Sequence, residues 1–273
     1  MGALCRTLRA ALCVVGTGIQ WGGQTTLAAR TAIEKADSVL FAVANAWTAR
    51  WIRELNPRAT SLPYPRDGRP RRAIYDEMVD RILLELGRHE RVCAVFYGSP
   101  AVFTAPAHAA VRRARREGHD ARMVPGVSFL DCMFADLGID PGEHGCQIFE
   151  ARALLRRNYA IEPRSHLIVP QVALAASRTP FVAGAPDVSA GLSQLAERLC
   201  ATYPTDHEVV LYEAAAHPLE RPRADRFALA RLETASLGEI STLWVPPIPA
   251  GSSRATPPDE LAGITADDTA RIE

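Results

Sequence analysis

"LCVVGTGIQWGG", residues 12–23, joins an apolar run to a glycine-rich turn, and the helical pattern "TTLAARTAIEKAD" (25–37) follows at once. An apolar run that ends in glycines reads as a strand buried on both faces. A helix directly after it puts the glycines at the carboxyl end of a parallel strand, where open α/β sheets hold their ligands. The alternation continues outward. "SVLFAVA" (38–44) reads as a strand, "AWTARWIRELN" (46–56) as a helix, "RRAIYDEMVDRILLELGRH" (71–89) as a third helix and "RVCAVFYGSP" (91–100) as a third strand. "APAHAAVRRARREGHD" (105–120) is a helix stopped by Gly118, and "ARMVPG" (121–126) a short strand. In the third helix Ile74, Met78, Ile82 and Leu86 recur every four residues, which makes one face apolar. Strands alternating with helices predict a parallel sheet covered on both faces.

After Pro125 the texture changes. "VSFLDCMFADLGIDP" (127–141) and "SAGLSQLAERLCATY" (189–203) read as helices. "CQIFEA" (146–151), "HLIVPQVAL" (166–174), "EVVLYEA" (208–214) and "STLWVPP" (241–247) read as strands. Mixed strands with fewer crossovers predict a second, α+β domain. The expected division is residues 10–124 for the first domain and 125–247 for the second. Residues 248–273, Pro/Ser/Gly-rich and then acidic, are expected to be a flexible tail with at most one short helix.

Composition narrows the function classes. The chain has 273 residues, 48% of them apolar, and its 31 Lys+Arg balance its 31 Asp+Glu. A zero net charge gives no bulk electrostatic case for a nucleic-acid partner. No apolar stretch is long enough for a membrane span. The N-terminus "MGALCRTLRAALCVVGTG" has the look of a weak signal peptide, but Arg9 interrupts it and it runs into a strand. The six cysteines, Cys5, Cys13, Cys93, Cys132, Cys146 and Cys200, show neither CxxC nor Cys/His ligand spacing. Reduced cysteines, a cytoplasmic location and no metal are therefore expected.

The glycine turn departs from the nucleotide fingerprints. After Gly16 and Gly18, Trp21 stands where the dinucleotide pattern needs a third glycine, and "FAVANAW" has no acid for a ribose hydroxyl. No Lys-Ser/Thr follows, so the Walker pattern fails as well. Taken alone, the turn suits a tight strand-to-helix connection as well as a ligand loop. Two further strand ends add weight: "VFYGSPAVF" (95–103) and "VPGVS" (124–128), where Ser128 offers a hydroxyl. Small residues without a phosphate-binding Lys or Arg suit a nucleoside that lacks phosphates.

"RPRRAIYDEM" (69–78) is the second feature. It reads as a solvated helix start, a phosphate clamp or half of an active site. Positive charge is mildly unfavourable at a helix N-terminus. Arg71 and Tyr75 are spaced i, i+4, so on a helix they share a face.

The segments "VVGTGI", "FYGSPAVF", "GHDARMVPGVSFLDCMFADLGIDP", "CQIFEA", "HLIVPQ", "DHEVVLYEA" and "ISTLWVPP", in this order, resemble the tetrapyrrole-methylase superfamily of S-adenosylmethionine (SAM) methyltransferases. "RRAIYDEM", "EGHDARMVPGVS", "FADLGIDPG" and "YPTDHEVVLYEA" are most similar to its borosin branch, the peptide backbone α-N-methyltransferases. The resemblance covers most of the chain, from about residue 12 to residue 247. It implies the two-domain class III SAM methyltransferase fold, a parallel Rossmann-like sheet followed by a mixed-sheet α+β domain. It also implies SAM in the cleft, S-adenosylhomocysteine as product, and a homodimer.

By the same resemblance Arg71 and Tyr75 match the catalytic R-x-x-x-Y motif. Tyr64 matches an upstream tyrosine across a loop of different length, and Tyr97 a tyrosine near the methyl group. Gly16, Gly18, Tyr97, Gly98, Ser99, Val102, Phe103, Ser128, Gln171, Tyr212, Ala214 and Thr242 match the cofactor cleft. Ser99 stands where many borosin enzymes have His, which changes the hydrogen bonding available there. His108 matches a family histidine and is expected to be structural. Only 26 residues follow Pro247, without a Val/Ile-rich core peptide, so the precursor peptide is expected in trans, in a 2:2 complex. The competing expectations are a corrin or porphyrin C-methyltransferase and an inactive peptide-binding homologue.

Overall fold

The computed structural model describes residues 10–249 apart from 21, 181 and 183–185. The expected ragged start before residue 10 and the tail beyond residue 249 lie outside the described residues. The first half runs β1 (Ala11–Gly16), α1 (Leu27–Lys35), β2 (Ser38–Ala42), α2 (Ala46–Leu55), β3 (Ala59–Ser61), α3 (Arg71–Leu86), β4 (Arg91–Phe96), α4 (Ala105–Arg116) and β5 (Asp120–Met123). The second half runs α5 (Phe129–Leu137), α6 (Pro141–His144), β6 (Cys146–Ile148), α7 (Ala151–Arg156), β7 (His166–Val169), α8 (Pro186–Cys200), β8 (Glu208–Glu213), β9 (Arg223–Ala228) and β10 (Thr242–Val245).

The first sheet has the order β3-β2-β4-β1-β5, and every pair in it is parallel. Its strands are apolar on both sides because both sides are covered. On one face Ile74, Met78, Ile82 and Leu86 of α3 pack with Ala107, Ala110 and Ala114 of α4 against Leu12, Val14 and Val92. On the other, Ile33 of α1 and Ile52 of α2 meet Val15, Val39 and Phe41. Side-chain caps start the helices of that layer: Thr26 accepts from the Ala29 amide, and Asn45 from the Thr48 amide.

The second sheet, β6-β7-β10-β8-β9, is mixed: β6 pairs parallel with β7, and the remaining pairs are antiparallel. One face packs Leu167, Leu243 and Val245 against Leu192, Leu195 and Leu199 of α8. The opposite face joins the two domains: Ile19 and Tyr97 from the first pack with Met133, Ile168, Tyr212 and Ala214.

Two departures from the sequence reading have clear causes. The strand expected over 166–174 ends at Val169, because Gln171 takes a left-handed conformation (φ 60°) and a 3-10 turn, Val172–Leu174, follows. The polar segment "RADRFA" forms β9, which the pattern did not suggest. It is an edge strand, so hydrogen bonds to β8 rather than an apolar face hold it.

Candidate active site

The three glycine-bearing strand ends converge at the carboxyl edge of the first sheet. A Cβ on Gly16 would stand 2.1 Å from the Gly98 carbonyl oxygen and 2.8 Å from Cδ of Pro100. This absence of a side chain lets the loop after β1 lie directly on the loop after β4. The contact is sealed by a two-way bridge: the Gly18 amide donates to the Gly98 carbonyl at 3.2 Å, and the Gly98 amide to the Gly18 carbonyl at 3.0 Å. Gln24, which the sequence reading passed over, steadies the turn by accepting from the Ile19 and Gln20 amides, each at 2.9 Å.

Above this junction lies a cavity of about 190 Å³ between the two domains. Tyr97, Gly98, Ser99, Val102, Phe103, Ser128, Gln171, Tyr212, Ala214 and Thr242 all line it. Gly16 and Gly18 do not; they lie behind the lining and hold the Tyr97–Pro100 loop in place. Ile19, Thr104, Phe129, Pro170, Glu239 and Ile240 complete the wall and were not foreseen. Most of these six sit beside residues that were, so extending each matched motif by its neighbours would have found them. The wall is mainly apolar and aromatic, and Glu239 is its single charged residue. No Lys or Arg faces the space, so the donor set suits a nucleoside-bearing ligand without phosphates.

Some hydroxyls in the wall are already engaged. Ser128 caps α5 in a reciprocal box: its Oγ accepts from the Leu130 and Asp131 amides and donates to Asp131 Oδ2 at 2.7 Å. Tyr212 donates to Asp136 Oδ2 at 2.5 Å. Burial first, then this bond to a carboxylate, drives the Tyr212 phenol far above its ordinary range. Among the described non-glycine residues, Phe103 (φ 52°) and Gln171 (φ 60°) have positive φ, and both line this cavity. Such strain persists where the surroundings impose it, and it clusters at ligand sites.

A second cavity opens from the first past Tyr97, Phe103 and Gln171, and reaches Tyr64, Arg71 and Tyr75. The structure therefore brings all four expected catalytic side chains to one space. Tyr64 and Tyr75 stack, with ring centroids 6.0 Å apart and planes 14° from parallel. Burial pushes the Tyr64 phenol far up, aided by charge on Tyr75 and a hydrogen bond with it, and outweighs the downward pull of Arg71. Burial likewise pushes Tyr97 up to about 12. Both stay protonated at neutral pH.

Arg71 separates from its neighbours. Arg69 is exposed and paired with Asp67 and Glu77, and Arg72 is exposed with Asp76 at 4.0 Å. Arg71 is 9% exposed and has no ion pair among the described residues. Its amide donates to the Arg178 carbonyl at 3.0 Å, and its Nη2 to the Ser177 carbonyl at 3.4 Å. A buried guanidinium that, among the described residues, meets one carbonyl is costly unless oxygen from elsewhere meets it. His108 Nε2 contacts the Ala101 carbonyl at 2.9 Å and pins the loop between Tyr97 and α4, a structural task.

A parallel α/β domain joined to a mixed-sheet domain, with a cleft between them, is a fold shared with solved methyltransferases. The chain resembles uroporphyrin-III-C-methyltransferase from Thermus thermophilus at TM-score 0.60 and 18% identity, covering 87% of this chain and 92% of that one. It resembles the cobalamin biosynthetic enzyme cobalt precorrin-4 methyltransferase at TM-score 0.59 and 16% identity, covering 86% and 94%. The profile of Tetrapyrrole (Corrin/Porphyrin) Methylases matches residues 11–228, and the chain belongs to that family.

Curated relatives are similar over most of the chain and are named methyltransferase/ribosomally synthesized cyclic peptide precursors. A type III borosin precursor of Anomoporia bombycina is 38% identical over 86% of this chain, and the dendrothelin A precursor of Dendrothele bispora 38% over 90%. The omphalotin A precursor of Omphalotus olearius is 36% identical over 89%. The chain spans 28%, 60% and 59% of the lengths of these three relatives.

Proposed function

We propose that this chain is a SAM-dependent methyltransferase that α-N-methylates backbone amides of a ribosomally made peptide, supplied by a separate precursor chain. The observation that carries the reading is Arg71: a buried guanidinium with no ion pair among the described residues, in one cavity with Tyr64, Tyr75 and Tyr97 and open to the nucleoside-type cleft. The names of the curated relatives support a peptide as substrate.

A peptide N–H is a poor acid because its nitrogen lone pair is delocalised into the carbonyl. Arg71 answers this by stabilising negative charge on the carbonyl oxygen as the nitrogen loses its proton. Tyr75, one turn along the same helix, first gives its own proton to solvent and then, as the phenolate, takes the amide proton and returns to the phenol. Tyr64, protonated and stacked on Tyr75, donates to it and fixes its ring. Tyr97 stands where the cleft meets the peptide cavity and keeps its own proton, so it can donate to the substrate carbonyl or to the cofactor. Gly98, Ser99, Val102, Phe103, Gln171, Tyr212, Ala214 and Thr242 would hold S-adenosylmethionine, with Gly16 and Gly18 supporting their loop from behind. Bound there, the cofactor supplies an activated methyl group on a sulfonium. Arg66 and Glu239, which pair at 2.5 Å, line the same cavity as the tyrosines. Assembly as a homodimer with two precursor chains is part of the same proposal, and light scattering of the mixture tests it.

The decisive measurement is intact mass of a candidate precursor incubated with the protein and S-adenosylmethionine. A ladder of single methyl additions, mapped by fragmentation to backbone nitrogens, is expected. Methyls on side chains, or turnover of a tetrapyrrole instead, would refute the amide chemistry. A ladder on this chain itself would refute the separate precursor. Tyr75→Phe is expected to lower turnover at least about 100-fold, the usual scale for a positioned base, with cofactor affinity unchanged.

A further inference from the structure

A third cavity continues from the second past Arg71, Tyr75, Phe103 and Gln171 to the outer surface. Six arginines line it, Arg71, Arg72, Arg112, Arg152, Arg156 and Arg178, and its single carboxylate is Asp76. They come from four places in the fold: the start of α3, the exposed side of α4, the short helix α7 and the loop after the 3-10 turn. Arg152 and Arg156 are spaced i, i+4 and share one face of α7. Arg112, Arg152, Arg156 and Arg178 form no ion pair among the described residues, whereas many arginines elsewhere on the surface do. Burial, and then repulsion from Arg156, Arg71 and Arg178, pull the Arg152 pKa down; Glu150 opposes this, but its carboxylate caps α7 at the Ala153 amide. The whole chain has no net charge, so this concentration of one sign is a local arrangement. It costs self-repulsion that a bound anion would relieve.

We propose that this arginine-walled cavity binds carboxylate side chains of the substrate peptide, so that the stretch flanking the methylated amides is acidic. The identity of the ligand as substrate rests on the methyltransferase reading above. Guanidinium forks match carboxylates in two-bond geometry, and several forks around one passage favour a run of acids over a single one. The passage leads inward to Arg71 and Tyr75. Acids held at the outer wall would therefore set which amides reach the stacked tyrosines, so the cavity selects both the peptide and its register.

Fluorescence anisotropy on the full chain tests this without cofactor or turnover. The probes are a labelled twelve-residue peptide with alternating Asp/Glu and apolar residues, and its Asn/Gln analogue. The acidic peptide is expected to bind at least about ten-fold more tightly at low salt. The preference should shrink as salt approaches 1 M, where screening acts over about 3 Å. It should vanish in Arg152→Glu/Arg156→Glu, and independently in Arg112→Glu/Arg178→Glu, but persist in the surface control Arg116→Glu/Arg231→Glu. Equal affinity for the two peptides, or a preference that survives both reversals, overturns the proposal. So does tighter binding of the acidic peptide after Asp259, Glu260, Asp267, Asp268 and Glu273 are changed to amides, since the chain's own tail would then be the occupant. Methyl transfer without charge preference sinks only this inference; charge-selective binding without methyl transfer sinks only the proposed reaction.

Discussion

Gly16→Ala tests how the glycine loop works. The new Cβ would lie 2.1 Å from the Gly98 carbonyl oxygen and 2.8 Å from Cδ of Pro100, both parts of a rigid backbone turn rather than the end of a flexible side chain. The loops after β1 and β4 must then separate. That overpacking costs about 1–3 kcal/mol. It also breaks the Gly18–Gly98 bridge, two backbone hydrogen bonds at about 0.5–1.5 kcal/mol each. The expected loss is about 2–6 kcal/mol, against a usual total of about 5–15 kcal/mol. It should appear as a lower midpoint in urea and a fall in melting temperature of roughly 2–4 °C per kcal/mol at this size. Cofactor affinity, followed by calorimetry, should fall too, because the displaced loop carries Tyr97, Gly98 and Ser99. Gly23→Ala is the control: a Cβ there meets only Gln20 Oε1 at 3.8 Å, and both readouts should match the parent. Parent-like stability and affinity in Gly16→Ala would refute the close-approach reading.

Further expectations follow from individual contacts. Ser128→Ala and Asp131→Ala should each lower stability by about 0.5–2 kcal/mol in chemical denaturation, since each removes half of one capping box; a neutral Ser128→Ala would mean the hydroxyl does not cap α5. Asp136→Ala leaves the buried Tyr212 hydroxyl without its acceptor and should cost about 1–3 kcal/mol, whereas Tyr212→Phe should be milder; the reverse ranking would contradict the bond. The unfolded chain releases the Tyr97 proton near pH 10, but the folded protein keeps it until about 12. Between those values the folded state binds more protons, so stability falls as pH rises, by about 2–3 kcal/mol in total. Denaturation midpoints in Tyr97→Phe should decline less steeply over that window, and an identical decline would rule Tyr97 out as the source.

Much of the architecture was legible in the chain because it is local. A strand buried on both faces must be apolar throughout, and "LCVV" and "VCAVF" are. A helix on a sheet needs one apolar face, and Ile74, Met78, Ile82 and Leu86 supply it. Spacing alone placed Arg71 and Tyr75 on one helical face. β9, held by a non-local partner, was not legible, since it is polar and exists by pairing with β8; α7, six residues long, is too short to show a helical period.

The site divides along the same line. The chain by itself determined the alternating strands and helices, the glycine-bearing strand ends and the i, i+4 pair, because periodicity and turn chemistry act between neighbours. Tertiary structure alone decided that Gly16 and Gly18 sit behind the cleft. It alone stacked Tyr64 on Tyr75, and desolvation at that depth keeps Tyr64 a phenol despite the nearby guanidinium. It also gathered arginines from α3, α4, α7 and a loop around one passage in a chain with no net charge. Burial and through-space charge depend on which distant segments meet, and no window of sequence contains that information.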